Sequence, residues 1–260
     1  EVDRLTEKGF NLVAVNKAGS NFAVLYNNGW GPLKDARVRR ALGMLVNRQR
    51  FNRIGMEGLG EVRCIPYPKA SIGYDAEQAT RCKFDPEAAK KLLAEAGYPN
   101  GFELEINSSQ QANAMFPILA SMLQDAYAQV GVKAKIADSD VAGYRAKMIA
   151  SKFQVHVHNY GRAAKDPSAL FAAAVPWRYN KSNWTQFRNA EYERLVIAGS
   201  GTIDEQARKK IYHDIIEILY DQQHLTVVQT QPLYFASRKG VKGIEGSPDG
   251  FFSFRNATVD

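Results

Sequence analysis

Two histidines are spaced so that they could share a metal ion. His156 and His158 are separated by one residue in a stretch whose pattern predicts a strand over residues 153–159, so their side chains share a face. Imidazole is a good ligand for zinc, copper and nickel, but the sequence offers no third ligand to complete a site. The pair is therefore expected to face a cleft or a neighbouring helix, and no cofactor is expected.

A second group of candidates lies in residues 176–184, a segment rich in aromatic and amide side chains. Trp177 and Trp184 could stack on a ligand there, and Asn180 and Asn183 could hydrogen-bond to it. Packing of one tryptophan in the core is the alternative that the sequence leaves open. Two further candidates are Asn28, just before the turn-forming run Gly29-Trp30-Gly31-Pro32, and Trp30 within it.

Motifs of common enzyme chemistries are missing from the sequence. It has no G-x-S-x-G, no H-E-x-x-H, no P-loop and no G-x-G-x-x-G. Glu103 and Glu105 alternate on a predicted strand, yet two carboxylates on one face do not form a hydrolase pair without a cleft. The sequence therefore predicts a binding protein and no catalytic function.

Two well-delimited helices must position these residues. In the first, Asp35 is the predicted N-cap, and an apolar stripe recurs at helical spacing while Arg37, Arg39 and Arg40 fall on the other side; the stripe is Val38, Ala41, Leu42, Leu45 and Val46. The second has its own start and stop signals: Asp85 as cap, Pro86 at the first position, and Gly97 and Pro99 after its end. Gly101 then opens a strand over residues 102–106.

Taken in order, these motifs resemble the extracellular solute-binding proteins of family 5, the peptide, opine and nickel group that serves ABC importers. The matching residues are Leu25-Tyr26-Asn27, DARVRRAL at residues 35–42, Ile65-Pro66, and DPEAAKKLLAEAGYPNG at residues 85–101. Family members are considerably longer. The resemblance therefore implies that this chain is a C-terminal portion of a larger protein, and that any signal peptide or lipid anchor would belong to the missing half.

The resemblance implies an α/β fold: a periplasmic binding protein type II-like lobe with a mixed sheet flanked by helices. Residues 27–227 would form this ligand-binding lobe, and residues 1–26 and 228–260 would add strands to a second lobe, with the crossing just after Asn28. The alternation of predicted strands and helices agrees with such a lobe.

The implied function is the substrate-binding component of an ABC importer, a monomer that closes on a small solute and delivers it to a membrane permease. The implied location is periplasmic, or extracellular and membrane-anchored. A cytoplasmic ligand-sensing domain of a regulator is the alternative, and a nickel-type chelate is a further alternative ligand.

The family's main ligand-anchoring segment reads W-x-x-D-x-x-D-P, and this chain departs from it. Tyr160 stands at the Trp position and Asp166 begins the final D-P, but Ala163 replaces the Asp that pairs with the amine of a bound peptide. Arg162, beside it, suits a carboxylate or phosphate. We therefore expect a ligand that carries an anionic group, such as a modified peptide, unless Arg162 points to solvent or pairs with a surface acid. Asp166 is expected to cap a helix more than to touch the ligand.

Two remaining features set limits on the protein. Cys64 and Cys82 are its only cysteines, and in an exported protein an even number favours a disulfide, with two free buried thiols as the alternative. The net charge is +7, but the basic residues are spread along the chain and no RNA-binding motif accompanies them. Nucleic acid is therefore not an expected partner.

Overall fold

A computed structural model describes residues 2–15, 20–160, 166–173, 177–178, 183–231, 233–246 and 251–260. Its helices are α1 Val2–Glu7, α2 Ala36–Met44, α3 Arg48–Gly55, α4 Ala76–Thr80, α5 Pro86–Glu95, α6 Met115–Ala128, α7 Val141–Ile149, α8 Ser168–Ala173, α9 Ala190–Gly201 and α10 Glu205–Gln222, with a 3-10 helix at Gly31–Lys34. Its strands are β1 Asn11–Val15, β2 Asn21–Tyr26, β3 Glu103–Ser108, β4 Lys133–Asp138, β5 Val155–Tyr160, β6 Leu225–Thr230, β7 Leu233–Ser237, β8 Val241–Lys242, β9 Glu245–Gly246, β10 Phe252–Ser253 and β11 Thr258–Val259.

A five-stranded mixed sheet in the order β4-β3-β5-β2-β6 organises the fold. Strand β3 is parallel to both of its neighbours, β4 and the central strand β5, whereas β2 runs antiparallel to both β5 and β6. The carboxyl ends of β3, β4, β5 and β6 therefore lie along one edge of the sheet, together with the amino end of β2. We call this edge the carboxyl edge.

Helices cover both faces of this sheet. One core cluster joins α2, α5 and α6 to the face that carries Val24 and Val157. A second cluster joins α8, α9 and α10 to the face that carries Leu25 and Val227, with Trp177 inside it. Side chains alternate between the faces along each strand, so the layered arrangement expected from the resemblance is confirmed.

The capping signals of the two marked helices are confirmed in detail. The Asp35 carboxylate accepts from the Arg37 backbone N–H and the Asp85 carboxylate accepts from that of Ala88. Every member of the predicted apolar stripe is buried, although α2 ends at Met44, so that Leu45 and Val46 follow the helix instead of lying within it. Arg39 differs from expectation, because it is buried instead of facing solvent; it is only 3% exposed.

Gly101, the last residue of the second motif, contacts the backbone of a distant segment. Gly101 has a φ of +72°, and a Cβ placed there would meet the backbone carbonyl of Gly131 at 2.1 Å. Gly97 also has a positive φ, of +93°, but open space around it. Close approach of the segment before β3 to the segment before β4 therefore requires glycine at position 101.

The crossing between sheets differs from the predicted place. Strand β1 pairs with β7 in a separate two-stranded sheet, so the chain passes between the sheets after β1 and again after β6, both at the carboxyl edge. The resemblance places residues 1–26 wholly in the second lobe, but Asn21–Tyr26 lies inside the five-stranded sheet and is buried throughout. Burial on both faces is what a central strand requires. The division into lobes at residues 27 and 227 otherwise stays a prediction.

Among the described residues, no helix has the length and apolar character needed to cross a bilayer.

Candidate functional site

Polar side chains gather at the carboxyl edge, where three chain segments that are distant in sequence meet. Gln231 follows β6, Asn159 lies near the end of β5, and Asn113 precedes α6. The Asn159 Nδ2 donates to Gln231 Oε1 at 2.7 Å, and the Asn113 Nδ2 lies 3.5 Å from the same oxygen. All three side chains are half-buried, so the group, which we call the amide cluster, is reachable from solvent.

The amino end of α6 adds a second feature to this edge. Asn113 Oδ1 accepts from the Met115 backbone N–H at 2.9 Å, while Ala114, at the N-cap position, makes no side-chain cap bond. The first turn of a helix carries partial positive charge on its unpaired N–H groups. The edge is therefore suited to polar solutes that accept hydrogen bonds, including anionic groups.

Ser108 and Asp138 complete the edge by tying neighbouring loops together. The Ser139 backbone N–H donates to the Ser108 carbonyl at 3.3 Å. The Gln110 backbone N–H donates to Asp138 Oδ1 at 3.1 Å. These bonds fix the loops after β3 and β4 and leave the side chain of Gln110 exposed.

Two predicted ligand residues, Tyr160 and Trp177, lie in the core. The Trp177 side chain is fully buried, and its ring packs edge-on against Tyr160 at 5.3 Å and against Phe171 at 6.3 Å. Tyr160 is 7% exposed, and burial raises the pKa of its hydroxyl well above the usual value. Core packing, the alternative that the sequence left open for one tryptophan, is what the structure shows for Trp177.

Asn183 and Trp184 shape the loop before α9. The Asn183 Oδ1 accepts from the backbone N–H and the hydroxyl of Thr185 at 2.9 and 2.7 Å, and its Nδ2 donates to the Arg178 carbonyl. Trp184 stays half-buried, with its ring edge-on to His158 at 5.9 Å. Asn183 thus acts in loop geometry, and Trp184 retains an accessible part.

Asn28 and Trp30 lie at the edge of the sheet opposite the amide cluster. They follow the carboxyl end of β2, which runs antiparallel to β5 and β6, and a six-residue strand spans about 20 Å. Asn28 Nδ2 donates to the Tyr26 and Thr185 carbonyls, both at 3.0 Å. The chain passes to the β1–β7 sheet at the other end of β2, so Asn28 and Trp30 do not lie at that passage, and a role for them in ligand binding stays a prediction.

Asp166 is occupied by protein partners. Its Oδ1 accepts from the Ser168 backbone N–H at 2.9 Å, as expected of a cap, and Arg208 Nη2 reaches both carboxylate oxygens at 2.8 and 3.0 Å. Burial pushes the pKa of Asp166 upward, but hydrogen bonds from Arg208 and Ser168 hold it below the usual value. Arg162, Ala163 and Asn180 lie outside the described residues.

The histidine pair faces a helix, one of the two surroundings expected for it. Strands β3 and β5 pair at only two positions. Beyond them, the Tyr144 hydroxyl of α7 donates to the Val157 carbonyl of β5 at 2.7 Å. That hydroxyl also lies 3.0 Å from His158 Nδ1, and Asn107 Nδ2 donates to His156 Nδ1 at 2.7 Å. Burial lowers the pKa of His158 to about 4 and that of His156 well below the usual value. Within the described ranges, no group of three or more His, Cys, Asp or Glu could hold a metal ion.

Cys64 and Cys82 form a disulfide in the structure, with Cα atoms 5.5 Å apart. Val62 forms an isolated antiparallel bridge with Gln229 of β6, and the disulfide links the loop that follows Val62 to the segment after α4. The alternative of two free buried thiols at these positions is therefore ruled out in the described structure.

Sequence patterns alone did not predict the amide cluster. Its residues are ordinary surface amides in sequence, and Asn159 and Gln231 are 72 positions apart. One signal was available, since polar residues at the carboxyl ends of strands in α/β folds often face a ligand. That signal required the strand order, which the sequence did not supply.

Comparison with known proteins places this geometry in a family. Residues 3–181 match the profile described as bacterial extracellular solute-binding proteins, family 5 Middle. The chain is 26% identical over 264 residues to heme-binding protein A of Haemophilus influenzae, covering 100% of this chain and 46% of that protein. It is 27% identical over 260 residues to the dipeptide-binding protein of Escherichia coli, covering 98% of this chain and 48% of that protein.

A solved structure shows the same fold. The structure of HbpA2 from Haemophilus parasuis superposes with a TM-score of 0.84 at 25% identity, covering all of this chain and 52% of the other. The chain thus spans about half the length of the relatives it matches. Because the profile covers well over half of the chain and the fold agrees throughout, this chain belongs to the bacterial extracellular solute-binding proteins of family 5.

Proposed function

We propose that this chain forms most of one lobe of the substrate-binding component of an ABC importer. In this proposal the complete protein closes its lobes over a small solute and hands it to a membrane permease. The observation that carries it is the carboxyl edge, where the accessible amide cluster lies beside both crossings to the β1–β7 sheet. A ligand held there would contact the segments about which the lobes move.

Amides suit a solute that both donates and accepts hydrogen bonds. Asn113, Asn159 and Gln231 can turn either their carbonyl oxygen or their NH₂ group toward a ligand, and oligopeptide-like compounds present both kinds of partner. The names of the relatives, a heme-binding protein and a dipeptide-binding protein, differ in their solutes. The solute of this chain therefore has to be argued from its own residues.

We infer a solute with an anionic group. The support is the sequence, in which Ala163 replaces the amine-pairing Asp of the family and Arg162 stands beside it, together with the amino end of α6 at the same edge. Loss of a carboxylate removes the partner of a free ammonium group, and a guanidinium binds carboxylate or phosphate in a fork geometry.

Location and partners belong to the same proposal. Family 5 proteins are extracellular solute-binding proteins, and we propose a periplasmic or membrane-anchored extracellular monomer that binds its solute without breaking a bond. The permease of an ABC importer would be its partner. Nucleic acid has no place in this proposal.

The first test identifies the solute. The full-length protein is purified without denaturation, and the compound released by unfolding is identified by mass spectrometry. A small polar compound with an acidic group is expected. Release of an intact cationic or wholly neutral peptide would overturn the anionic inference, while leaving the transport role standing.

The second test measures where the solute binds. Titration calorimetry of the identified solute should show weakening of at least about tenfold for Gln231→Ala, and no change for Gln206→Ala, an exposed glutamine of α10. Arg162→Ala should weaken binding of the acidic solute by a similar factor. Unchanged affinity in Gln231→Ala would remove the carboxyl edge from the proposal.

A dipeptide provides the third test. The full-length protein should bind a simple dipeptide poorly, and N-acetylation of that dipeptide should change its affinity little, since no carboxylate is predicted to meet the amine. Tight binding of the free dipeptide that N-acetylation abolishes would contradict the reasoning from Ala163.

A further inference from the structure

A cavity of about 550 Å³ lies apart from the amide cluster, among α2, the end of α10, β6 and the two disulfide-linked loops. Its volume falls within the range of roughly 300–1,000 Å³ that is usual for small-molecule sites. None of Asn113, Asn159 and Gln231 lines it. The nearest strand residues are Leu225 and Val227, in the half of β6 that is remote from the carboxyl edge.

The walls of the cavity are largely apolar and partly aromatic. Both cysteines of the disulfide also line it, so a covalent link holds two of its lining loops together. Such a surface accepts a flat, apolar body better than a flexible polar one. The wall residues are Met44, Trp177, Leu219, Tyr220, Leu225 and Val227.

Most charges around the cavity are already compensated by protein groups. Arg40 pairs with Asp221 at 3.4 Å, and Arg81 pairs with Glu217 at 2.7 Å. The remaining carboxylate, that of Asp85, caps α5. Lys83, which is exposed, also lines the cavity. Apart from Arg48, three cationic and three anionic side chains therefore line it, and their charges balance.

Arg48 is different, because it is a buried cation without a carboxylate. It is 7% exposed and lines the cavity. Its Nε donates to the Val227 carbonyl at 2.9 Å and its Nη1 reaches the Val46 carbonyl at 3.4 Å. No described carboxylate lies within ion-pair distance of it, and Nη2 has no described hydrogen-bond partner. Burial lowers the pKa of Arg48 to about 10, so it remains charged at neutral pH.

We propose that this cavity is a second ligand site, which binds a small aromatic monocarboxylate. The carboxylate accepts from the free Nη2 of Arg48, and the aromatic body packs against the apolar wall. One uncompensated buried charge matches one anionic group, and pairing it offsets the cost of keeping an isolated cation away from water. The site is independent of the solute proposed for the carboxyl edge.

The probe for this site is 4-phenylbutyrate, with 4-phenylbutanol as its neutral counterpart. Titration calorimetry on the full-length protein should show the acid binding at least about tenfold more tightly than the alcohol. Arg48→Gln should abolish that preference. Equal affinity for acid and alcohol, or no binding of the acid at millimolar concentration, would overturn the proposal.

A blocking variant keeps the test decisive even where Arg48→Gln does not fold. Ala88 lines the cavity from α5, so Ala88→Trp should fill it and remove binding of 4-phenylbutyrate. Ala94 lies on the same helix, is exposed and does not line the cavity, so Ala94→Trp is the matched control and should bind normally. Retained binding in Ala88→Trp would place the probe elsewhere and refute the site. The solute identified at the carboxyl edge should not displace the probe.

Discussion

The guanidinium of Arg39 should contribute strongly to stability, although the residue looks like a surface arginine in the sequence. Its Nη1 donates to the Leu33 and Lys34 carbonyls at 2.7 and 3.0 Å. Its Nε and Nη2 both donate to the Gln222 carbonyl, at 2.9 and 2.5 Å. Because Gln222 is the last residue of α10, Arg39 connects the 3-10 helix before α2 to the negative end of α10.

Replacing Arg39 by Met removes these bonds while keeping much of the side-chain volume. Hydrogen bonds to charged groups contribute about 1.5–3 kcal/mol each, and loss of the donor leaves the buried Leu33 carbonyl unsatisfied. Release from the cost of burying the charge offsets part of this loss. We expect a net loss of about 3 kcal/mol in the free energy of unfolding, which in a chain of this size corresponds to a fall of about 6 °C in Tm.

Urea and thermal denaturation followed by circular dichroism measure this effect. Arg39→Lys should recover little of the loss, since one ammonium cannot reproduce the planar fork. Arg40→Met is the matched control: its side chain is 36% exposed and its ion pair spans 3.4 Å, so a change below about 1 kcal/mol is expected. A loss below about 1 kcal/mol for Arg39→Met would refute the structural role assigned to this residue.

Three further predictions follow from particular groups. Gly101→Ala should destabilise the protein by about 3 kcal/mol, because strain and a backbone clash add, whereas Gly97→Ala should cost about 1 kcal/mol in urea denaturation; equal losses would contradict the contact at position 101. Reduction of the disulfide, or Cys64→Ser, should lower the unfolding free energy by about 3 kcal/mol in the chain-entropy account, and an unchanged Tm with and without dithiothreitol would contradict this. His156 and His158 stay neutral in the fold because burial lowers both pKa values, that of His158 to about 4, so the unfolded chain takes up protons first as the pH falls below about 6.5. His158 should therefore reduce stability by about 1.4 kcal/mol per pH unit between pH 6.5 and about 4, and His156 should act in the same direction as the pH falls below 6.5; a His156→Gln, His158→Gln double variant should flatten that decline, and an unchanged pH profile would show that other groups cause it.

Local features of the fold were predictable from the sequence. Asp35 and Asp85 cap their helices as predicted, because a cap needs only neighbouring residues along the chain. The apolar stripe of α2 is buried as its spacing indicated. The order of these motifs also sufficed to identify the family, which the profile match confirms.

Other features depended on contacts between distant segments. Arg39 follows the polar side of the helical pattern, yet the end of α10 covers it. Trp177 lies in a segment that reads as a ligand loop, yet aromatic rings enclose it. Neither outcome can be read from a periodic pattern, since the pattern reports which residues share a helix face and not what packs against that face.

The sequence by itself determined the two capped helices and where they begin, the α/β class and the family. Only the tertiary structure decided which edge of the sheet carries the amide cluster, and that Asn28 and Trp30 lie at the opposite edge. The physical reason is strand direction: β2 runs antiparallel to both of its neighbours, and this reverses the edge at which its following residues emerge. Asn159 and Gln231 meet for the same reason, because the pairing of β5 and β6 with β2 brings together residues that are 72 positions apart.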